Sequence, residues 1–217
     1  MDTDALPHHE DARTTTYGHV MMGDLIYLED HAEAQGRTLG IGLLHADGVC
    51  RTRVSLRQHR DRAKRQFSPD FQECLFRVCP PLKYEAAARS RELKRSPSLT
   101  GDDLRDAMMS TAAEEQHEKN RNETMLVGVN NKPTPVVYGQ SIQLQHVRSG
   151  KFIVALEQAA EHAKDCLRLK LCSPQASSVF THFTVRPRYK MRSDGGRVFF
   201  NDKVRLRMTR SRVLPLQ

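Results

Sequence analysis

The chain has 217 residues, enough for one ordinary domain or two small ones, and its 38% hydrophobic content supports a real core without Trp and with few aromatics. The net charge of +8 is uneven: residues 164–217 carry 13 Lys/Arg against 3 Asp/Glu, a net of +10, and residues 1–163 carry 21 against 23, a net of −2. No apolar run is long enough to span a bilayer. The acidic, polar start MDTDALPHHEDAR is not a signal peptide, so a soluble piece facing the cytosol is expected.

Taken in chain order, residues 1–19 read as a disordered tail, and residues 20–217 as a single domain. GDLIYLED (Gly23–Asp30) is a short strand. Ala34–Leu56 reads as two or three more strands, with turns at Gly36, Gly40, Gly42 and Asp47-Gly48. Arg57–Gln66 is a charged loop, and Phe71–Pro81 a compact strand stopped by two prolines.

The periodicity then changes. Lys83–Arg95 favours helix and ends before Pro97. Thr100 opens T-G-D-D, an N-cap with Asp102 and Asp103 in the first turn. Leu104, Ala107, Met108, Thr111 and Ala112 follow at helical spacing, and the pattern fades through Glu114–Glu123. These helices form an αα-hairpin, an inserted arm over residues 83–123 between β segments. Met125–Val129 reads as strand, Tyr138–Ala155 as a β-hairpin, and Leu156–Asp165 as a polar connection with helical character. Cys166–Cys172, Thr181–Val185 and Arg197–Phe200 alternate as strands, with a turn at Ser193-Asp194-Gly195-Gly196. In Lys203–Met208 the alternation is strict: Lys203, Arg205 and Arg207 share one face, Val204, Leu206 and Met208 the other.

One strand is written three times: GDLIYL from Gly23, GQSIQL from Gly139 and NDKVRL from Asn201, starting 116 and 62 residues apart. Removing a helical insertion makes the intervals comparable. Three β repeats of similar length imply pseudo-threefold closure, and hence a mainly β fold with an α insertion: a β-trefoil carrying a helix-turn-helix arm. A β-sandwich is the alternative. Only eleven residues follow Leu206, so the third repeat is expected to be incomplete.

The segments GDLIYL, ECLFRVCPPLKY, EEQHEKNRNE, YGQSIQLQHVRSGKF and RPRYKMRSDGGRVFFNDKVRL, in this order, resemble the N-terminal domain of the inositol trisphosphate receptors and, more distantly, of the ryanodine receptors. The resemblance runs from about Gly23 to Leu206 and implies a β-trefoil with a projecting helical arm. It further implies a non-catalytic regulatory module of a ligand-gated calcium-release channel, on the cytosolic face of the endoplasmic reticulum or another calcium store. The module would lower ligand affinity and couple ligand binding to the pore through a downstream ligand-binding core and neighbouring subunits of a tetramer. No inositol trisphosphate site, no membrane insertion and no cofactor is expected within it.

Position by position, the family's P-x-Y-K-x-R-S coupling loop matches Pro187, Tyr189, Lys190, Arg192 and Ser193. A tyrosine suits an interface anchor, with a flat apolar body and one polar tip. Leu43 and Asp47 match the suppression surface, and Arg148 matches a basic residue of the hairpin turn. Gln72 stands where the family has a basic residue, and His182 where it has a Trp.

There is no H-E-x-x-H, P-loop, G-x-G-x-x-G or G-x-S-x-G, so an enzyme has no constellation to stand on. His8-His9-Glu10-Asp11 sits in a polar tail and reads as incidental; His146 reads as a core-edge histidine and Met108 and Met109 as helix packing. An odd count of five cysteines without a secretory signal implies reduced thiols, and neither Cys74/Cys79 nor Cys166/Cys172 has zinc-knuckle spacing; buried structural thiols are expected. The basic C-terminal strands leave two alternatives: a nucleic-acid binder, disfavoured for want of interleaved stacking aromatics, and a carbohydrate- or protein-binding trefoil unrelated to channels.

Overall fold

The computed structural model describes residues 18–34, 37–59, 69–95, 101–128, 132–160, 163–174 and 179–209. The incidental cluster His8–Asp11, Gly36, most of the Arg57–Gln66 loop, Pro97 and Thr100 lie outside them. Among these residues ten strands and two α-helices follow in order: β1 Leu25–Ile26, β2 Glu29–Ala34, β3 Arg37–Ala46, β4 Val54–His59, β5 Phe76–Cys79, α1 Glu85–Arg95, α2 Asp102–Val127, β6 Ser141–His146, β7 Phe152–Ala160, β8 Ala163–Cys172, β9 Phe183–Pro187 and β10 Val204–Met208. The fold is therefore mainly β with a helical insertion, as expected.

The threefold repeat is visible in the main chain. Val20 N donates to Val198 O, Val198 N to Val136 O, and Val136 N to Val20 O, at 2.8, 2.9 and 2.8 Å. This closed triangle joins three buried valines, 116 and 62 residues apart like the sequence echoes. A second ring runs outside it: Met22 N to Thr134 O, Tyr138 N to Gly196 O, and Phe200 N to Gly18 O. Each copy then opens with the same turn. Gly23, Gly139 and Asn201 take φ of +94°, +87° and +68°, a left-handed conformation open to glycine and tolerated by asparagine. The next side chain reaches back three residues to accept a backbone N–H: Asp24 from Met21 (2.8 Å), Gln140 from Val137 (3.1 Å) and Asp202 from Phe199 (2.9 Å). A shared glycine or asparagine followed by a side-chain acceptor is thus what the echo encodes.

Register repeats as well. Leu25↔Arg77 and Ile26↔Phe76 pair β1 with β5, and Ser141↔Thr184 and Ile142↔Phe183 pair β6 with β9. The far half of β6 pairs back with β5 (His146↔Phe76), just as β10 pairs back with β9 (Met208↔Phe183). Among the described residues, β10 pairs with β9 alone. The inward faces meet in one apolar core built around Phe76, Val78, Tyr138, Leu144, Ile153, Leu171 and Val185. In β10 the alternation survives: Arg205 and Arg207 are exposed, while Val204, Leu206 and Met208 pack against that core.

Several local expectations change. Gly40 and Gly42 lie inside β3 rather than at turns, and β4 extends through His59 into the expected charged loop. Residues 69–74 form a 3₁₀ helix before β5, so the compact strand starts only at Phe76. β7 and β8 claim most of the expected polar connection, because each completes the other's backbone hydrogen bonds. Arg197 and Phe199 form single bridges, to Val137 and His19, instead of a strand. Gly18 and His19 accordingly join the ring instead of belonging to a free tail.

The largest change is at the arm. α2 runs on to Val127 and absorbs the expected strand start at Met125; Val129 lies outside the described residues. Its last turn is drawn in by packing, with Met125 and Leu126 against Cys79, Leu82 and Phe152. Polar ties fix the arm to its root. Asn122 accepts from Lys83 N (3.1 Å) and donates to Lys83 O (2.6 Å), and Glu118 accepts from Ala86 N in the first turn of α1 (2.8 Å). Met108 is partly buried, but Met109 is 66% exposed, because consecutive helical positions point to different faces. The thiols also divide. Cys74 and Cys79 are buried, with burial pushing Cys79 up to about 11, while Cys50 and Cys166 are exposed rather than structural.

Candidate functional site

The six residues singled out in the sequence fall into two clusters at opposite ends of β6. Five residue steps separate Ser141 from His146, about 17 Å along the strand.

At the His146 end, Asp47, Arg148 and two unforeseen residues come together. β3 delivers His45 and then turns at Asp47-Gly48, the 3₁₀ helix delivers Glu73, and the β6–β7 turn delivers Arg148, Ser149 and Lys151. Glu73 is the hub. Its Oε2 lies 2.6 Å from His45 Nε2, and its Oε1 accepts from Arg148 Nη1 at 2.5 Å. Its side chain is 16% exposed, so both contacts are partly shielded from water, although the 45% exposure of Arg148 limits their worth. The Asp47-Gly48 corner is tied down separately, with Lys151 Nζ donating to Gly48 O at 2.8 Å.

Beneath this hub His146 is fully buried, tilted against Phe76, with Nδ1 2.8 Å from Ser149 Oγ. Burial lowers its pKa below the usual histidine value, and Arg148 and His45 push the same way; the main chain and carboxylate of Glu73 oppose them. His146 is therefore a structural histidine, but it lies within the core rather than at its edge, with Nδ1 held by Ser149 and Nε2 without a hydrogen-bond partner among the described residues. Leu43, two residues before His45, is only 9% exposed and presents little surface of its own.

At the other end, the loop between β9 and β10 carries Tyr189, Lys190 and Arg192. Its base is closed by Arg188 N donating to Lys203 O at 2.9 Å, and an Arg186–Asp194 ion pair spans it. Arg192 is a brace rather than a free contact. Its guanidinium lies 5.1 Å from the Phe199 ring centroid and 3.7 Å from Asp202 Oδ1. Asp202 also accepts from the buried Tyr138 hydroxyl at 2.8 Å; burial and that carboxylate hold the phenol protonated far above its usual range. The braced frame leaves an exposed tip: Tyr189 is 54% and Met191 86% exposed, with Lys190 between them. An aromatic, a flexible thioether and a cation on a braced loop can seat in a complementary pocket of another protein surface.

Sequence reasoning missed His45, Glu73, Met191 and Asp202. Asp202 was accessible through the repeat, since it stands where Asp24 does in the first copy; Glu73 carries no pattern, and only the fold brings it between His45 and Arg148. Gln72 is exposed beside Glu73, and His182 is half-buried, with burial lowering its pKa. Among the described residues no group of three or more His, Cys, Asp or Glu could hold a metal ion, and no helix is long and apolar enough to cross a membrane.

The family model described as inositol 1,4,5-trisphosphate/ryanodine receptor matches residues 15–216. A curated relative, the inositol 1,4,5-trisphosphate receptor itr-1 of Caenorhabditis elegans, is 26% identical over 196 residues, which cover 87% of this chain. The match spans 6% of that relative's own length. With the family match extending over nearly every residue of the repeated fold and both clusters, the chain belongs to the inositol 1,4,5-trisphosphate/ryanodine receptor family.

Proposed function

We propose that this domain is a regulatory module of a ligand-gated intracellular calcium-release channel, coupling ligand binding elsewhere in the channel to the pore. Family membership supports the channel setting. The observation that carries the coupling role is the exposed Tyr189-Lys190-Met191 tip on a loop braced by Arg192, Asp194 and Asp202. An amphipathic tip whose base is tied by these contacts suits the transmission of displacement to a neighbour. The Glu73 cluster, with Asp47 and Arg148, forms a second contact surface toward the ligand-binding core. The partners are that core and neighbouring subunits, and the place of action is the cytosolic side of a calcium-store membrane.

The test is made in the full-length receptor polypeptide carrying this domain. Tyr189→Ala should reduce ligand-evoked calcium release about fivefold or more, with ligand affinity changed less than about twofold. Undiminished release, or a loss explained entirely by weaker ligand binding, would remove Tyr189 from the coupling path.

A further inference from the structure

The outer face of the β9–β10 hairpin is strongly and unevenly basic. Residues 183–209 hold eight Lys/Arg and two Asp/Glu. The two acids, Asp194 and Asp202, are paired with Arg186 and Arg192. Arg205 stands directly across from Arg186 in the register, and Arg207 across from Thr184; all three arginines are exposed. Asp194 offsets Arg186, which leaves Arg205 and Arg207 as the charges of this face over which a further counter-charge would be favourable. Beyond Arg207 the face continues in hydroxyls, Thr209 Oγ1 lying 3.1 Å from Ser141 Oγ and 3.2 Å from Thr184 Oγ1. This surface fits an extended acidic polypeptide.

An acidic segment of the same chain is joined to the fold beside it. Residues 1–17 contain Asp2, Asp4, Glu10 and Asp11 against a single Arg13. Where that segment joins the fold, Gly18 O accepts from Phe200 N at 3.2 Å. His19 packs edge-on against Phe199, with Nε2 3.0 Å from Arg197 Nη1. The junction thus sits three residues before Lys203, at one end of the basic face. Glu10 and Asp11 lie eight and seven residues before Gly18, within reach of roughly 25 Å, and β10 spans only about 15 Å. We propose that the acidic N-terminal segment docks on the Arg186/Arg205/Arg207 face of its own chain and shields it from other polyanions. Tethering raises the local concentration of the carboxylates, so modest individual contacts suffice.

The experiment uses the full chain and a heparin-derived octasaccharide as probe, at low ionic strength. Neutralising the segment (Asp2→Asn, Asp4→Asn, Glu10→Gln, Asp11→Asn) should tighten probe binding about tenfold, and added salt should erase the difference. In an Arg205→Gln/Arg207→Gln background the same neutralisation should have no effect. Equal affinity of the neutralised and unaltered chains, or a gain that persists without Arg205 and Arg207, overturns the proposal. Carbodiimide cross-linking of the monomer should join Glu10 or Asp11 to Lys190 or Lys203 within one chain. Cross-links formed only between chains would assign the face to a second copy and equally overturn it.

Discussion

Gly48 is where the Glu73 cluster is most tightly specified. Its φ is +71°, and a Cβ added there would sit 2.5 Å from His146 Nδ1, 2.7 Å from His146 Cε1 and 2.8 Å from Ser149 Oγ. Gly48→Ala therefore carries two costs. The left-handed backbone costs an alanine about 1 kcal/mol. The clash forces the fully buried His146 ring or Ser149 to move, losing a hydrogen bond worth about 1 kcal/mol and adding about 1–2 kcal/mol of packing strain. Gly150→Ala supplies the control. Its φ of +66° is nearly the same, and nothing lies within 4 Å of its added Cβ, so it should bear the backbone cost alone. The gain from a stiffer unfolded chain is common to both variants and cancels. Urea unfolding should then show Gly48→Ala destabilised by roughly 3–4 kcal/mol and Gly150→Ala by about 1 kcal/mol. At about 2–4 °C per kcal/mol for a chain of this length, the melting temperatures should differ by roughly 5–10 °C. If the two variants fall within about 0.5 kcal/mol of each other, His146 is not wedged against the Asp47-Gly48 corner, and the proposed geometry of this surface fails.

Two further outcomes follow from the same structure. Asn201 fills the left-handed position that Gly23 and Gly139 hold in the other copies, so Asn201→Gly should shift stability by less than about 0.5 kcal/mol, whereas Asn201→Val should cost about 1–2 kcal/mol; a fully stable Val variant in urea unfolding would deny that the three turns are equivalent. Burial depresses the pKa of His146 and of His182 in the folded protein. Below the ordinary histidine value near 6.5 the unfolded chain binds these protons first, so the urea midpoint should fall as pH drops from about 7 toward 5, with a shallower slope in His146→Gln; a flat or rising midpoint would contradict the buried, neutral ring.

Much of the fold could be read from local chemistry. The strict alternation of Lys203–Met208 gave its two faces correctly, because side-chain direction in a strand follows position alone. The threefold echo was readable for a similar reason: a left-handed turn needs Gly or Asn, and the following Asp or Gln caps it, whatever surrounds it. The helical arm was legible through Ala-rich, charged periodicity, but its end was not. Met125 and Leu126 favour either state locally, and contact with Leu82 and Phe152 made them helix.

The candidate surfaces divide along the same line. Tyr189 and Lys190 could be named from their motif, and the chain alone determined that an aromatic and a cation would lie in a loop between two strands. Their exposure, and the conversion of Arg192 into a brace, depended on Phe199 and Asp202 arriving from the next turn. Leu43, matched by sequence alone, is covered by the sheet that surrounds it. Glu73 became a hub only because β3, a 3₁₀ turn and the β6–β7 hairpin converge from positions 28 and 75 residues away. The valine triangle of Val20, Val136 and Val198 is likewise invisible in any one segment. The sequence determines turns, faces and periodicity because these depend on neighbours a few bonds away. Which buried groups meet, and which charges remain outside, is decided by contacts whose closure entropy only the assembled core can offset.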